Sequence, residues 1–305
     1  MNPHIALSPE VAAALDGDRP VVALETTIVS HGMPWPDNLD TALAVEAVVR
    51  EASAVPAAIA IIGGKIRVGL DRGELERLAQ TKDVLKLSSA DIAYGLVSGR
   101  TGATTVAATM IAADLAGIPV FATGGIGGVH RGAEASFDIS ADLTELAKTP
   151  VTVVCAGAKA LLDLPKTLEV LETLGVPVVS YQSPFFPAFW SRDSGLATPI
   201  RLDDAPAIAR FMRARAELGQ TGGMLVANPV PEADEIPAAE MAPVIAAAVA
   251  DAAAKGVSGK AVTPFLLDAI FHLTGGRSLV TNIALVKNNA RLAAEIAVEL
   301  AKTSP

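Results

Sequence analysis

Short apolar runs of strand length recur along this chain, and a helical pattern separates almost every one from the next. VVALETTIV (21–29) reads as a buried strand, followed by the turn HGMPWPDN and a helix from about Leu39 to Ala54 with Asp37 or Asn38 as its cap. AAIAIIGGKIRVGL (57–70) reads as a hairpin turning on Gly63-Gly64, and Asp71 caps a charged helix behind it. Val84–Leu87 is a short strand, Thr104–Ala116 a small-residue helix ended by Gly117, and Ile118–Ala122 a strand opening into a Gly-rich loop. Further strands are expected at Val151–Cys155, Pro177–Tyr181 and Gly223–Ala227, and helices at Pro165–Leu174, 203–218 and within a final block from about Ile236 to Lys302. Residues 182–198, rich in Pro and aromatics and without a period, read as a long functional loop. Nearly continuous apolar strands joined by helices argue a layered α/β/α fold with a largely parallel sheet, and the hairpin places an antiparallel pair at an edge. No repeat, low-complexity tract or composition break divides the 305 residues, so residues 1–305 are expected to form one domain.

Composition narrows the function. With 51% hydrophobic and 19% charged residues the chain builds a sizeable core and is not disordered in character. The longest uncharged stretch, Thr173–Ser191, contains Pro177, Pro184 and Pro187, which argues against a membrane span. The N-terminal MNPHIALSPEV lacks the basic and apolar regions of a signal peptide, and the single Cys155 allows neither a disulfide framework nor a multi-cysteine metal site; a cytoplasmic location is expected. A net charge of −9 with few aromatics disfavours a nucleic-acid track but not small anionic ligands.

Chemistry is expected beyond the carboxyl ends of the strands, where open α/β sheets bind ligands. Glu25 is a carboxylate among apolar and β-branched residues. Burial disfavours the charged form of such a group, which suits general acid work, although a salt-bridged structural role is the competing reading. Lys159 closes VTVVCAGAK directly after a buried run. A desolvated lysine yields the neutral amine that a Schiff base needs; an exposed strand-end lysine is the competing reading. Cys155 reads as a small core residue.

ATGGIGGVHRGA (122–133), with His130 and Arg131, could form a backbone nest for an anion, although it is neither a P-loop nor a dinucleotide fingerprint. FDISADL (137–143) brings Asp138 and Asp142 close together, with Ser140 as cap of a helix starting near Ala141. Two carboxylates without paired His or Cys suit a hard cation, Mn²⁺ or Mg²⁺, whereas an N-cap with a helix-dipole Asp would explain Asp142 alone. Thr101–Thr105 and Lys86 are candidates for phosphate contacts, and Asn282, Asn288 and Asn289 stand on a helix where Asn is disfavoured, so one of them is a candidate recognition residue.

Six blocks carry a resemblance: ALETTIVSHGMPWPDN, PAAIAIIGGKIRVGL, GATTVAATM, VFATGGIGGVHRGAEASFDISADL, VTVVCAGAKALLDL and TNIALVKNNA. Together, from about Val21 to Ile296, they resemble the pseudouridine-5′-phosphate glycosidase family, also called the indigoidine synthase A-like family. The resemblance implies a homotrimeric α/β/α enzyme that reversibly cleaves pseudouridine 5′-phosphate to uracil and ribose 5-phosphate with a divalent metal, typically Mn²⁺. By motif it makes Glu25 the proton donor, Lys159 the nucleophile and Asp138 the metal ligand. It sets Lys86, Val106, Ser140, Ala141 and Asp142 at the substrate, with Asn282 on its uracil or ribose side. Thr26 stands where many relatives have Ser, and Leu87-Ser88-Ser89 where others are more basic. A C–C glycosidic bond offers no leaving oxygen to protonate, so a lysine imine with a ring-opened ribose is the chemistry such a site needs. A Schiff-base aldolase acting on a sugar phosphate would use the same lysine without a uracil pocket. A nucleotide- or sugar-binding module would need neither Lys159 nor Glu25, and the absence of a P-loop disfavours a kinase.

Overall fold

The structure, a computed structural model, describes residues 2–257, 259 and 262–302. Its strands are β1 (Ile5–Leu7), β2 (Val21–Leu24), β3 (Val55–Ile62), β4 (Lys65–Val68), β5 (Leu85–Leu87), β6 (Gly102–Thr104), β7 (Val120–Ala122), β8 (Thr152–Cys155), β9 (Val178–Tyr181), β10 (Ile200–Leu202) and β11 (Met224–Ala227). They join in the order β1-β4-β3-β2-β7-β8-β11-β9-β10, with β5 and β6 branching from β3. From β3 to β10 every neighbouring pair is parallel, while β3 pairs antiparallel with β4 and β6. Helices lie on both faces. Arg277–Ala301 packs on β2, β7 and β8 beside Asp37–Glu51 and Ala205–Glu217, while Val106–Ala116 covers β1, β4, β2 and β7 and leans on Ala141–Leu146. Buried from both sides, β2, β7, β8 and β11 have no solvent face to fill with polar residues, so their sequences are apolar runs rather than alternating patterns.

The elements depart from expectation where a side chain outbids local propensity. The run 21–29 is strand only as far as Leu24. Thr26 then turns inward, its hydroxyl donating to the Ile59 carbonyl at 2.6 Å and accepting from the Thr104 amide at 3.1 Å, and Ile28–Gly32 forms a π-helical turn. Glu25 therefore sits at the mouth of the sheet rather than inside a strand. The helix expected from Leu39 spans Asp37–Glu51, and Asn38 is no cap: it is buried, donating to the carbonyls of Val29 (2.7 Å) and Ala79 (3.0 Å). Thr104 belongs to β6, and Thr105 caps the helix Val106–Ala116 instead.

Three short strands, β1, β6 and β10, escaped the sequence pattern. The hairpin does not form the edge, because β1 lies outside β4, parallel to it, with Ile5 opposite Ile66. At the other edge β10 follows the loop 182–198, whose Phe186, Phe189 and Trp190 are buried. The terminal block resolves into Ala238–Ala254, Val262–Leu273 and Arg277–Ala301. Among the described residues no helix is long and apolar enough to cross a membrane.

Candidate active site

The carboxyl ends of β2, β7 and β8 open onto a cleft of about 370 Å³, the size of a small-ligand pocket. Glu25 reaches it directly after β2, Gly124 and Gly125 after β7, and Lys159 after β8; Lys86 enters from β5. Val106, Asp138, Ser140, Ala141, Asp142 and Asn282 line the same cleft, so every residue to which the resemblance gives a role meets there.

Glu25 is half-buried, and each of its carboxylate oxygens accepts a hydroxyl: Oε2 from Thr27 and Oε1 from Thr123. Those donors fix the carboxylate's orientation, and sequence reasoning missed both. A Thr just past an apolar run reads as more strand, because β-branching favours strands, while its hydroxyl points into the site.

Lys159 is fixed through its backbone. Its amide donates to Ile126 and the Ile126 amide to Gly157, both at 3.1 Å, which zips the lysine loop onto the Gly-rich loop. Among the described residues its ammonium takes part in no hydrogen bond or ion pair. Cys155, four residues earlier, is fully buried, and burial pushes its thiol up to about 12, so it stays an inert core thiol as expected.

The later part of the Gly-rich segment is closed to an anion. Its amides at Gly127, Val129 and His130 are spent inside the protein, on the Asp142 carboxylate (2.7 Å), the Thr167 hydroxyl (3.0 Å) and the Asp138 carbonyl (3.0 Å). His130 lines the cleft, whereas Arg131 donates to the Leu161 carbonyl outside it. Asp142 accepts from both Gly127 and Ala107, the latter at 2.9 Å, and so pins the Gly-rich loop to the start of the Val106–Ala116 helix. Ser140 caps Ala141–Leu146 as expected.

With Asp142 engaged, Asp138 is the carboxylate at the cleft that remains open, with His130 Nδ1 4.0 Å from its Oδ2. Among the described residues no three His, Cys, Asp or Glu side chains gather to cage a metal. One open carboxylate with hydroxyl and imidazole nearby fits a hard divalent ion that keeps most of its waters.

The asparagines divide cleanly. Asn288 donates to Pro229 at 3.0 Å, and buried Asn289 donates to Thr123 at 2.8 Å while accepting from Asn228, so both tie their helix to the strand ends. Asn282 alone lines the cleft, and its buried Oδ1 has no partner. A buried acceptor left open is an expensive feature unless a ligand donor fills it. His31, on the π-helical turn, also lines the cleft; burial, then the charge of Lys86, hold its imidazole below its ordinary value, so it is neutral near pH 7. Thr263, Pro264 and Leu267 of the helix Val262–Leu273 complete the wall.

A parallel α/β sheet with a lysine and a hydroxyl-held carboxylate at its strand ends defines an enzyme-like small-molecule site. The family model of indigoidine synthase A-like proteins matches residues 10–299, and the chain belongs to that family. Among its relatives, a protein of Paracoccus denitrificans (strain Pd 1222) named pseudouridine-5′-phosphate glycosidase is 66% identical, the match covering 99% of this chain and 100% of the relative. One of the same name from Methylobacterium nodulans is 64% identical over 98% of this chain and 89% of its own. The crystal structure of the prealnumycin C-glycosynthase AlnA in complex with ribulose 5-phosphate superimposes with a TM-score of 0.92 at 40% identity, covering 99% of this chain and 98% of that one. An indigoidine synthase A-like protein from Thermotoga maritima MSB8 gives 0.89 at 35% identity with the same coverage.

Proposed function

We propose that this protein reversibly cleaves the C–C glycosidic bond of pseudouridine 5′-phosphate to give uracil and ribose 5-phosphate. The observation that carries the reading is the meeting of Lys159 and Glu25 in one cleft, in a chain whose relatives bear that activity in their names. In the proposed chemistry Lys159 loses an ammonium proton and Glu25 carries one, which puts a nucleophilic amine and a carboxylic acid in the same cleft. Glu25 protonates the ring oxygen as Lys159 Nζ bonds to C1′ and the ribose opens. The C1′-bound amine then returns a proton to the Glu25 carboxylate, Glu25 delivers it to C5 as the C1′–C5 bond breaks, the electron pair of that bond stays with uracil, and the amine lone pair makes C1′ an imine of Lys159. Water adds to that imine and frees ribose 5-phosphate and the amine.

The remaining residues bind and orient. Lys86 is proposed to hold the phosphate, Val106, Ser140, Ala141 and Asp142 to shape the sugar site, and Asn282 Oδ1 to accept a uracil N–H. Asp138 is proposed to hold Mn²⁺ or Mg²⁺, whose charge would orient water and phosphate. The working form is proposed to be a homotrimer, with exposed Phe137 and Ile139 beside the cleft offering apolar surface; a monomer mass by light scattering contradicts that part. Incubation with pseudouridine 5′-phosphate and Mn²⁺ should release free uracil. No release from folded protein would overturn the reading.

A further inference from the structure

The loop 182–198 sends one residue into the cleft, Phe189. Its φ is +62°, a left-handed conformation that a residue with a bulky side chain keeps only when its surroundings hold it there. The surroundings do hold it. The Phe189 amide donates to the Ala156 carbonyl at 3.0 Å, its ring meets Trp190 edge-on at 4.9 Å, and Trp190 Nε1 donates to the Ser278 carbonyl at 3.2 Å. The loop is thus clamped to the segment that carries Lys159 and to the helix that carries Asn282.

The ring lies hard against the strand-end glycines. A Cβ on Gly125 would stand 2.7 Å from Phe189 Cδ2, so only glycine fits there. A Cβ on Gly124 would meet Val286 at 3.1 Å and Phe189 at 3.7 Å, which places Val286 and Phe189 side by side. Val286 lies one helical turn after Asn282, on the same face, and all three line the cleft. Phe189, Val286 and Asn282 therefore form one continuous wall, apolar along most of its length and ending in an acceptor that lacks a donor.

With Asn282 Oδ1 already assigned to the base, we propose that Phe189 is the residue of this wall that selects a planar ring. The inference rests on the reading of pseudouridine 5′-phosphate as substrate. A flat heteroaromatic ring offers both a π-face for the phenyl group and an in-plane N–H for Asn282 Oδ1, whereas a sugar offers hydroxyl donors but no π-face.

The test runs the reaction in the synthetic direction, from uracil and ribose 5-phosphate. Phe189→Leu should raise the KM for uracil by about tenfold or more, while the KM for ribose 5-phosphate and its borohydride trapping on the enzyme stay as in the wild type. An unchanged uracil KM, or a parallel rise in both KM values, overturns the assignment. Because this variant could fail to fold, the wild type supplies a second arm. 5,6-Dihydrouracil keeps the N–H and carbonyl groups of uracil but puckers the ring, and it should inhibit cleavage about tenfold more weakly than uracil. Equal inhibition removes the planar wall. A wild type that makes no pseudouridine 5′-phosphate and releases no uracil sinks the substrate reading itself, and the inference with it; normal wild-type turnover with an indifferent Phe189→Leu sinks only the inference.

Discussion

Replacing Asp142 with alanine should cost the protein a large share of its stability, though no atom of the core proper is removed. The carboxylate is 6% exposed and accepts two backbone amides, Ala107 at 2.9 Å and Gly127 at 2.7 Å. Both bonds are charge-assisted, and both donors lie in buried segments, so water does not replace the lost acceptor cheaply. At about 1.5–3 kcal/mol for each bond, Asp142→Ala should lose roughly 3–6 kcal/mol, set against a usual total of about 5–15 kcal/mol. Asp142→Asn keeps one acceptor oxygen but turns an NH₂ toward the other amide, so its loss should be intermediate. Equilibrium urea unfolding reads both numbers from the shift in midpoint at constant slope. The same variants should lose activity, because the two amides locate the Gly-rich loop and the helix that starts at Val106. A loss under about 1 kcal/mol for Asp142→Ala would refute the view that this carboxylate is the clasp between them.

Other outcomes follow from the same geometry. Glu25→Gln should fold, since either Thr27 or Thr123 can reverse its hydroxyl to accept from the new NH₂, yet uracil release in a single turnover should slow by roughly 10²–10⁴-fold; wild-type release would remove Glu25 from the chemistry. Glu46, on the helix Asp37–Glu51, is pushed by burial from 4.5 to about 7, with Arg50 opposing the shift and Glu10 adding to it. The fold thus favours its neutral form: that contribution is full below 4.5 and is lost as pH rises through about 7. Glu46→Gln should accordingly match the wild type at acid pH and exceed it by up to ~3 kcal/mol at pH 8, and equal stabilities at both pH values would contradict this. Cys155, buried and pushed up to about 12, should resist iodoacetamide at pH 8 in the native state and react once unfolded; rapid native labelling would show that its strand opens.

Much of the sheet was legible because parallel strands buried on both faces leave uninterrupted apolar runs, as in Val151–Cys155 and Met224–Ala227. What escaped was short or governed from far away in sequence. The three-residue strands Ile5–Leu7 and Ile200–Leu202 are too brief for a period. Thr26 ends its strand because carbonyl and amide groups from Ile59 and Thr104 lie within reach of its hydroxyl. Within the site, Glu25 stood out as a carboxylate in an apolar run, Lys159 as a lysine at a strand end, and Asp138 as one of two close carboxylates. Thr27 and Thr123 did not, because a threonine in an apolar run looks like strand. Phe189 did not, because a segment without periodicity gives no sign of where its aromatics point. The paired reading of Asp138 and Asp142 as open carboxylates separated only when the amides of Ala107 and Gly127 came into view.

The account turns on a covalent bond between Lys159 and C1′ of the sugar phosphate. Borohydride added to the wild-type protein with ribose 5-phosphate should reduce that imine to a stable amine, and peptide mass spectrometry should find the ribosyl-phosphate adduct on Lys159, absent from Lys159→Ala. Uracil release from pseudouridine 5′-phosphate with no adduct, or with the adduct on another lysine while Lys159 stays unmodified, would contradict it.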